Sequence, residues 1–173
     1  VEYQIPLVAD TAEGGVSGEE ELINVFPQLS KPGKYRFTLK GTPGLAYFTD
    51  LPTFPILSLH EANNRAVAVT PTKIYEIFAD GSYNELGDVD LSGRVVAASN
   101  GIQAVFVDGT KGYYVTIATG VVTQLSGDGW YPASHVAYQD GYFIFNRVDT
   151  GQFFISDLLN IDFDPLNFAT AEG

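Results

Sequence analysis

The sequence predicts an all-β fold of β-propeller-like antiparallel meanders, with about three blades visible in an incomplete ring and an extended N-terminal arm. Three observations carry that expectation. Short runs of β-branched and aromatic residues fill most of the chain after residue 53. The dipeptides Asp80-Gly81, Asn100-Gly101, Asp108-Gly109 and Asp140-Gly141 punctuate these runs, and Asx-Gly supplies the positive φ that tight hairpins need. The runs recur near the ~40-residue spacing of four-stranded blades. A β-sandwich is the alternative, because regularly spaced short strands predict that as well.

Taken in order, residues 1–52 read as an arm with a first strand, and residues 53–173 as the blades. The apolar stretch Ile5-Pro6-Leu7-Val8 is followed by a Gly/Glu/Ser loop from Ala12 to Glu21. Leu22-Ile23-Asn24-Val25-Phe26-Pro27 comes next. Tyr35 to Lys40 alternates like a half-buried strand and stops at Gly41-Thr42-Pro43-Gly44. The first blade is expected at Ala66–Val69, Lys73–Phe78 and Tyr83–Gly87. The second runs through Val95–Ala98, Gln103–Val107, Gly112–Ile117 and Val121–Leu125. The third runs through His135–Tyr138, Tyr142–Phe145 and Gln152–Ser156. Three blades do not close a ring, so the expectation is either a longer parent protein or neighbouring chains on the open flank.

Composition narrows the function classes. A net charge of -12 disfavours tight binding to a phosphate backbone, which rests on Lys and Arg displacing counterions. DNA contact is therefore expected only as confinement. With no cysteine, a disulfide framework, a thiolate zinc site and a Cys nucleophile are excluded. No apolar run approaches the ~20 residues of a membrane-spanning helix, and no membrane partner is expected.

No catalytic, metal or cofactor residue is assigned. Ser134 and His135 suggest acyl transfer, but neighbours on a strand point to opposite faces, so a strand histidine is the preferred reading. Asn160, Asp162 and Asp164 alternate as calcium ligands do, yet the turn glycine and closing Glu are missing and an Asx-type turn explains them better. Asp88 and Asp90 read as surface loop carboxylates and not as a glycosidase pair. The aromatic runs Tyr113-Tyr114, Tyr142 to Phe145 and Phe153-Phe154 read as core, buried on both faces of a stacked blade. Trp130 and Tyr131, in a glycine-flanked loop, are the candidate partner contacts, with Trp130 equally suited to plug the junction between blades.

Leu22 to Gln28, followed by Leu39-Lys40-Gly41-Thr42-Pro43-Gly44-Leu45, resembles the N-terminal signature of phage packaged-DNA stabilisation proteins, the tail hub proteins of short-tailed phages. The runs Asp140 to Phe145, Gly151 to Leu158 and Asp164 to Gly173, ending in Ala171-Glu172-Gly173, resemble that family too. The resemblance implies a non-enzymatic virion protein of the phage tail, present in the host cytoplasm during assembly. It implies a homo-oligomeric ring below the portal and adaptor proteins, docking a tailspike or tail needle and retaining packaged DNA. Family members are longer, so the resemblance also implies that this is the N-terminal part of a hub. An acidic channel wall, which repels DNA and lets it slide, is compatible with the composition.

Overall fold

A computed structural model of the chain describes residues 25–29, 37–41, 44 and 46–171. The expected loop at 12–21, the apolar stretch at 5–8 and parts of both terminal signatures lie outside the described residues. The chain divides into two compact units, Val1–Tyr47 and Phe48–Gly173. In the first unit, β1 (Val25–Leu29) and β2 (Phe37–Gly41) form an antiparallel pair with Val25 opposite Gly41.

The second unit contains three four-stranded antiparallel sheets, each with its strands in chain order, and no helix among the described residues. The first sheet is β3 (Ser58–Ala62), β4 (Arg65–Val69), β5 (Lys73–Ile77) and β6 (Tyr83–Asp88). The second is β7 (Val96–Ser99), β8 (Gln103–Val107), β9 (Gly112–Thr116) and β10 (Val121–Gln124). The third is β11 (Val136–Gln139), β12 (Tyr142–Asn146), β13 (Gln152–Ile155) and β14 (Phe168–Thr170). β7 contacts both β3 and β11, so the first strands of the three sheets lie side by side. Three separate meanders, instead of two facing sheets, set the sandwich alternative aside.

The turns follow from local chemistry. Gly81, Gly101, Gly109 and Gly141 all take positive φ, while of their four Asx partners only Asp140 does. The others act through their side chains. Asp80 Oδ1 accepts Ser82 N at 2.9 Å, Asn100 Oδ1 accepts Gln103 N at 2.6 Å, and Asp108 Oδ1 accepts Lys111 N at 2.7 Å. The β3–β4 hairpin turns instead on Asn63 and Asn64, both at positive φ, which asparagine tolerates.

Alternation builds two cores from one set of strands. Ala104 and Phe106 of β8 join Val67, Val69 and Ile74 in a cluster between the first and second sheets. Their neighbours Val105 and Val107 join Phe143, Phe145 and Phe154 in a cluster between the second and third sheets. The middle sheet is thus buried on both faces, which is why its strands read as near-continuous apolar runs. Tyr113 and Tyr114 divide the same way, one to each cluster. Among the described residues, the third sheet packs one face into a core cluster and leaves the other partly exposed. Phe143 and Phe145 are fully buried, while Ile144 and Ile155 on the opposite face are half-buried and Phe153 is 39% exposed.

Candidate functional site

In a meander, the loop between the second and third strands lies at the same end as the linker that enters the sheet. Here these corners grip the linkers by a recurring device. Asp108, just past β8, accepts Ser92 N of the incoming linker at 3.0 Å through Oδ2. Asn146, ending β12, accepts Ser134 N at 2.9 Å and His135 N at 2.7 Å through Oδ1. Thr70, just past β4, shares a 2.7 Å hydroxyl hydrogen bond with Thr53. The third strands repeat the theme with an aromatic ring. Tyr75 OH lies 3.0 Å from Thr53 Oγ1, Tyr113 OH accepts Asp90 N at 3.2 Å, and Phe154 packs edge-on against Tyr131. Residues 48–57 therefore enter the first sheet as the linkers enter the second and third.

The linker face carries most of the polar candidates. Asp88 and Asp90 line an open depression of about 420 Å³ with Val89, Tyr113, Val122 and Gln124. Each carboxylate is already matched: Lys73 bridges Asp88 and Glu85, and Lys111 pairs with Asp90. Those bonds hold both ammonium groups above the ordinary lysine range. Burial raises the Asp108 pKa, but donors from Lys111, Thr110 and Ser92 outweigh it and the carboxyl titrates below its ordinary value.

Ser134 and His135 differ from expectation. They precede β11 in a bend, so the strict strand alternation does not apply, and Ser134 Oγ sits 3.1 Å from His135 Nδ1. The third partner is the Asn146 amide, which donates to Ser134 Oγ at 3.0 Å and does not orient the imidazole. Among the described residues no hydrogen bond joins a carboxylate to that ring. The cluster fastens the linker. Asn160, Asp162 and Asp164 form local turns: Asn160 Nδ2 donates to Asp162 Oδ2 at 2.6 Å, and Asp164 Oδ1 accepts Leu166 N at 2.9 Å.

Trp130 and Tyr131 lie in the second linker and are both half-buried. The indole sits edge-on to Phe145 and Phe154, with centroids 5.4 and 5.7 Å away, and packs on Phe163. It also reaches Gly112, where an added Cβ would come within 2.8 Å of the ring. Trp130 thus occupies the junction between the second and third sheets. Tyr131 carries Arg147 over its ring at 4.0 Å, and Arg147 Nη1 donates to Gln152 at 2.9 Å. Sequence reasoning missed the corner residues Thr70, Asp108 and Asn146. Their signal was present: each polar side chain ends or follows an apolar strand, and the three are equally spaced.

No protein-family profile and no curated relative matches the chain. Solved structures do. A chain in the crystal structure of the mitotic checkpoint complex superposes with a TM-score of 0.50 at 14% identity, over 76% of this chain and 48% of its own length. The WD40 domain of Neurospora crassa Pan2 matches with a TM-score of 0.48 at 11% identity, over 69% of this chain and 37% of that one. The N-terminal domain of Nup159 matches at 0.46 and 10% identity, over 83% and 35%. The fold is β-propeller-like. The three sheets are blades, and the chain spans less than half the length of each of these structures.

Proposed function

We propose that the chain is a non-catalytic scaffold whose blade flanks dock protein. The supporting observation is that exposed apolar side chains stand on the outward sheet faces of the two end blades. At the first blade Leu59, opposite Ala68, is 66% exposed; at the third, Phe153, opposite the exposed Ala169, is 39% exposed. An apolar sheet face left without a facing sheet marks an interaction surface, whereas single exposed apolar residues need no explanation. The titratable groups of the linker face are engaged in structural bonds, which fits a scaffold. A photo-crosslinking residue at Leu59, Phe153 or Ala169 should couple to protein in the native setting, while one at Asp128 should not. Absence of protein adducts from all three flank positions would sink this reading.

A second reading is the phage tail hub, favoured by the sequence likeness at Leu22–Gln28 and Asp164–Gly173 and by the acidic composition. In that reading the docked proteins are the adaptor, tailspike or needle, the hub forms a ring, and DNA is retained by confinement. Purified tails carrying the chain's peptides support it. A parent protein that never co-purifies with tail components overturns it.

A further inference from the structure

Of the chain's asparagines, Asn100 alone precedes a glycine; the others are followed by valine, asparagine, arginine, glutamate, isoleucine or phenylalanine. A side chain after asparagine crowds the amide nitrogen that follows it, and glycine leaves that nitrogen bare. Asn100-Gly101 turns β7 into β8 with Gly101 exposed at φ +83°, and a Cβ built on Gly101 would meet nothing within 4 Å. The turn leaves room for chemistry there.

The Asn100 carboxamide is held as a reacting group would be. Its Oδ1 accepts Ile102 N at 2.9 Å and Gln103 N at 2.6 Å. Attack of a nitrogen on Cγ puts negative charge on that same oxygen, and two main-chain donors already point at it, as in an oxyanion hole. Among the described residues no hydrogen bond ties down Nδ2, the group that would leave.

The product already has a place in this fold. At the other end of β8, Asp108 makes the same turn with a carboxylate: its Oδ1 accepts Thr110 N at 2.8 Å and Lys111 N at 2.7 Å. Asp108 N donates to Lys111 O at 3.2 Å, as Asn100 N does to Gln103 O at 3.1 Å. A carboxylate at position 100 keeps every one of these bonds.

We infer that Asn100 is a self-modification site, where the chain loses ammonia and gains a carboxylate with water as the co-reactant. The Gly101 amide gives its proton to solvent base, and its nitrogen bonds to Asn100 Cγ. The Cγ–Nδ2 bond then breaks, and ammonia leaves with a proton taken from water, closing a cyclic imide. Water opens the imide at Cγ to leave aspartate, or at the main-chain carbonyl to leave isoaspartate, which lengthens the main chain by a methylene. Either product adds one negative charge to a chain of net charge -12. The isoaspartate form places its longer main chain between the paired Ser99 and Ala104, so it loosens this end of the β7–β8 hairpin, whereas the aspartate form does not.

Incubation of the folded 173-residue chain at mildly alkaline pH, followed by mass spectrometry of the tryptic peptide spanning residues 95–111, tests the site. Asn100 should convert before any other asparagine, giving a peptide about one dalton heavier that contains both aspartate and isoaspartate. The rate should lie within about tenfold of that in urea, because the folded turn activates the carboxamide it holds. Gly101→Ala should slow conversion by about tenfold or more, since its methyl crowds the attacking nitrogen. Asn100→Asp should show no mass gain and should fold as the parent does by circular dichroism. A folded chain that keeps Asn100 intact while the urea-unfolded chain converts overturns the inference, because the turn would then protect the carboxamide. Conversion led by another asparagine overturns it too. So does a rate indifferent to Gly101→Ala, which would mean direct hydrolysis without the imide.

Discussion

His60 sits between the first strands of the first two blades, with Nε2 3.1 Å from Ser99 Oγ and its edge toward Phe106. Burial lowers its pKa below the usual 6.5, with the Glu61 carboxylate opposing that shift. The unfolded chain therefore binds the proton more readily than the folded one. The imidazole's contribution to stability is complete above pH ~6.5 and declines as pH falls below it, until the folded form protonates too. Urea midpoints from pH 5 to 8 should show that slope, and His60→Gln should flatten it; an unchanged slope would refute the assignment. Phe145 is a simpler case. Fully buried among Phe143, Phe154 and Trp130, it should cost about 3–5 kcal/mol when replaced by alanine, read as a lower denaturant midpoint. Gly81 combines φ of +85° with a place where a Cβ would come 2.7 Å from the Phe48 carbonyl oxygen. Gly81→Ala should lose about 1–3 kcal/mol by strain, whereas Gly93→Ala, at positive φ but in open space, should lose less.

At the scale of the element, the linker clamps carry a common prediction. Asp108→Ala leaves the amide groups of Ser92, Thr110 and Lys111 without their acceptor, and Asn146→Ala does the same for Ser134 and His135. Each should cost about 1–3 kcal/mol, and hydrogen exchange should accelerate at those amides first. If exchange rose equally across the blades, the corners would not be acting as clamps. The strands that were legible in the sequence are those with a strong periodic signal. Gln103–Val107 and Gly112–Thr116 are apolar on both faces because they lie in the middle blade. β3 was missed because Ser58-Leu59-His60-Glu61-Ala62 mixes an exposed leucine with a histidine that is used structurally. β14 was missed because three residues after Asp164-Pro165 offer too short a run for any period to show. The clamps escaped notice for another reason. A polar residue at a strand end reads as an ordinary turn former, and only its partner across the linker reveals the role.

At the scale of the molecule, two apolar cores share the middle blade, so damage to that blade should propagate to both neighbours. Val105→Asp, at a fully buried position facing the third blade, is expected to unfold all three blades together. In the unaltered chain, fluorescence of Trp130, beside the third blade, and far-ultraviolet dichroism should lose their signals at one denaturant concentration. Separate transitions would mean that the blades fold independently. Repeated architectures of this kind gain stability from neighbour interfaces as much as from each unit. The same dependence explains why the sequence disclosed the blades more readily than the site. Blade strands bury large apolar areas in a regular order, while the surfaces available to partners are defined by which faces that order leaves uncovered.

The grip of the corners on the linkers also says how one module is joined to the next. Thr53 binds Thr70, Ser92 binds Asp108 and Ser134 binds Asn146, so side chains fasten a linker to the sheet that follows it, while backbone bonds from Val89 to Thr72, Leu91 to Pro71 and Gly109 to Ala133 tie the linkers to the sheet before. A cassette of a linker with its downstream sheet, as in residues 89–124, would carry its side-chain fastening into a new host but would need there a corner able to accept the Val89 and Leu91 amides.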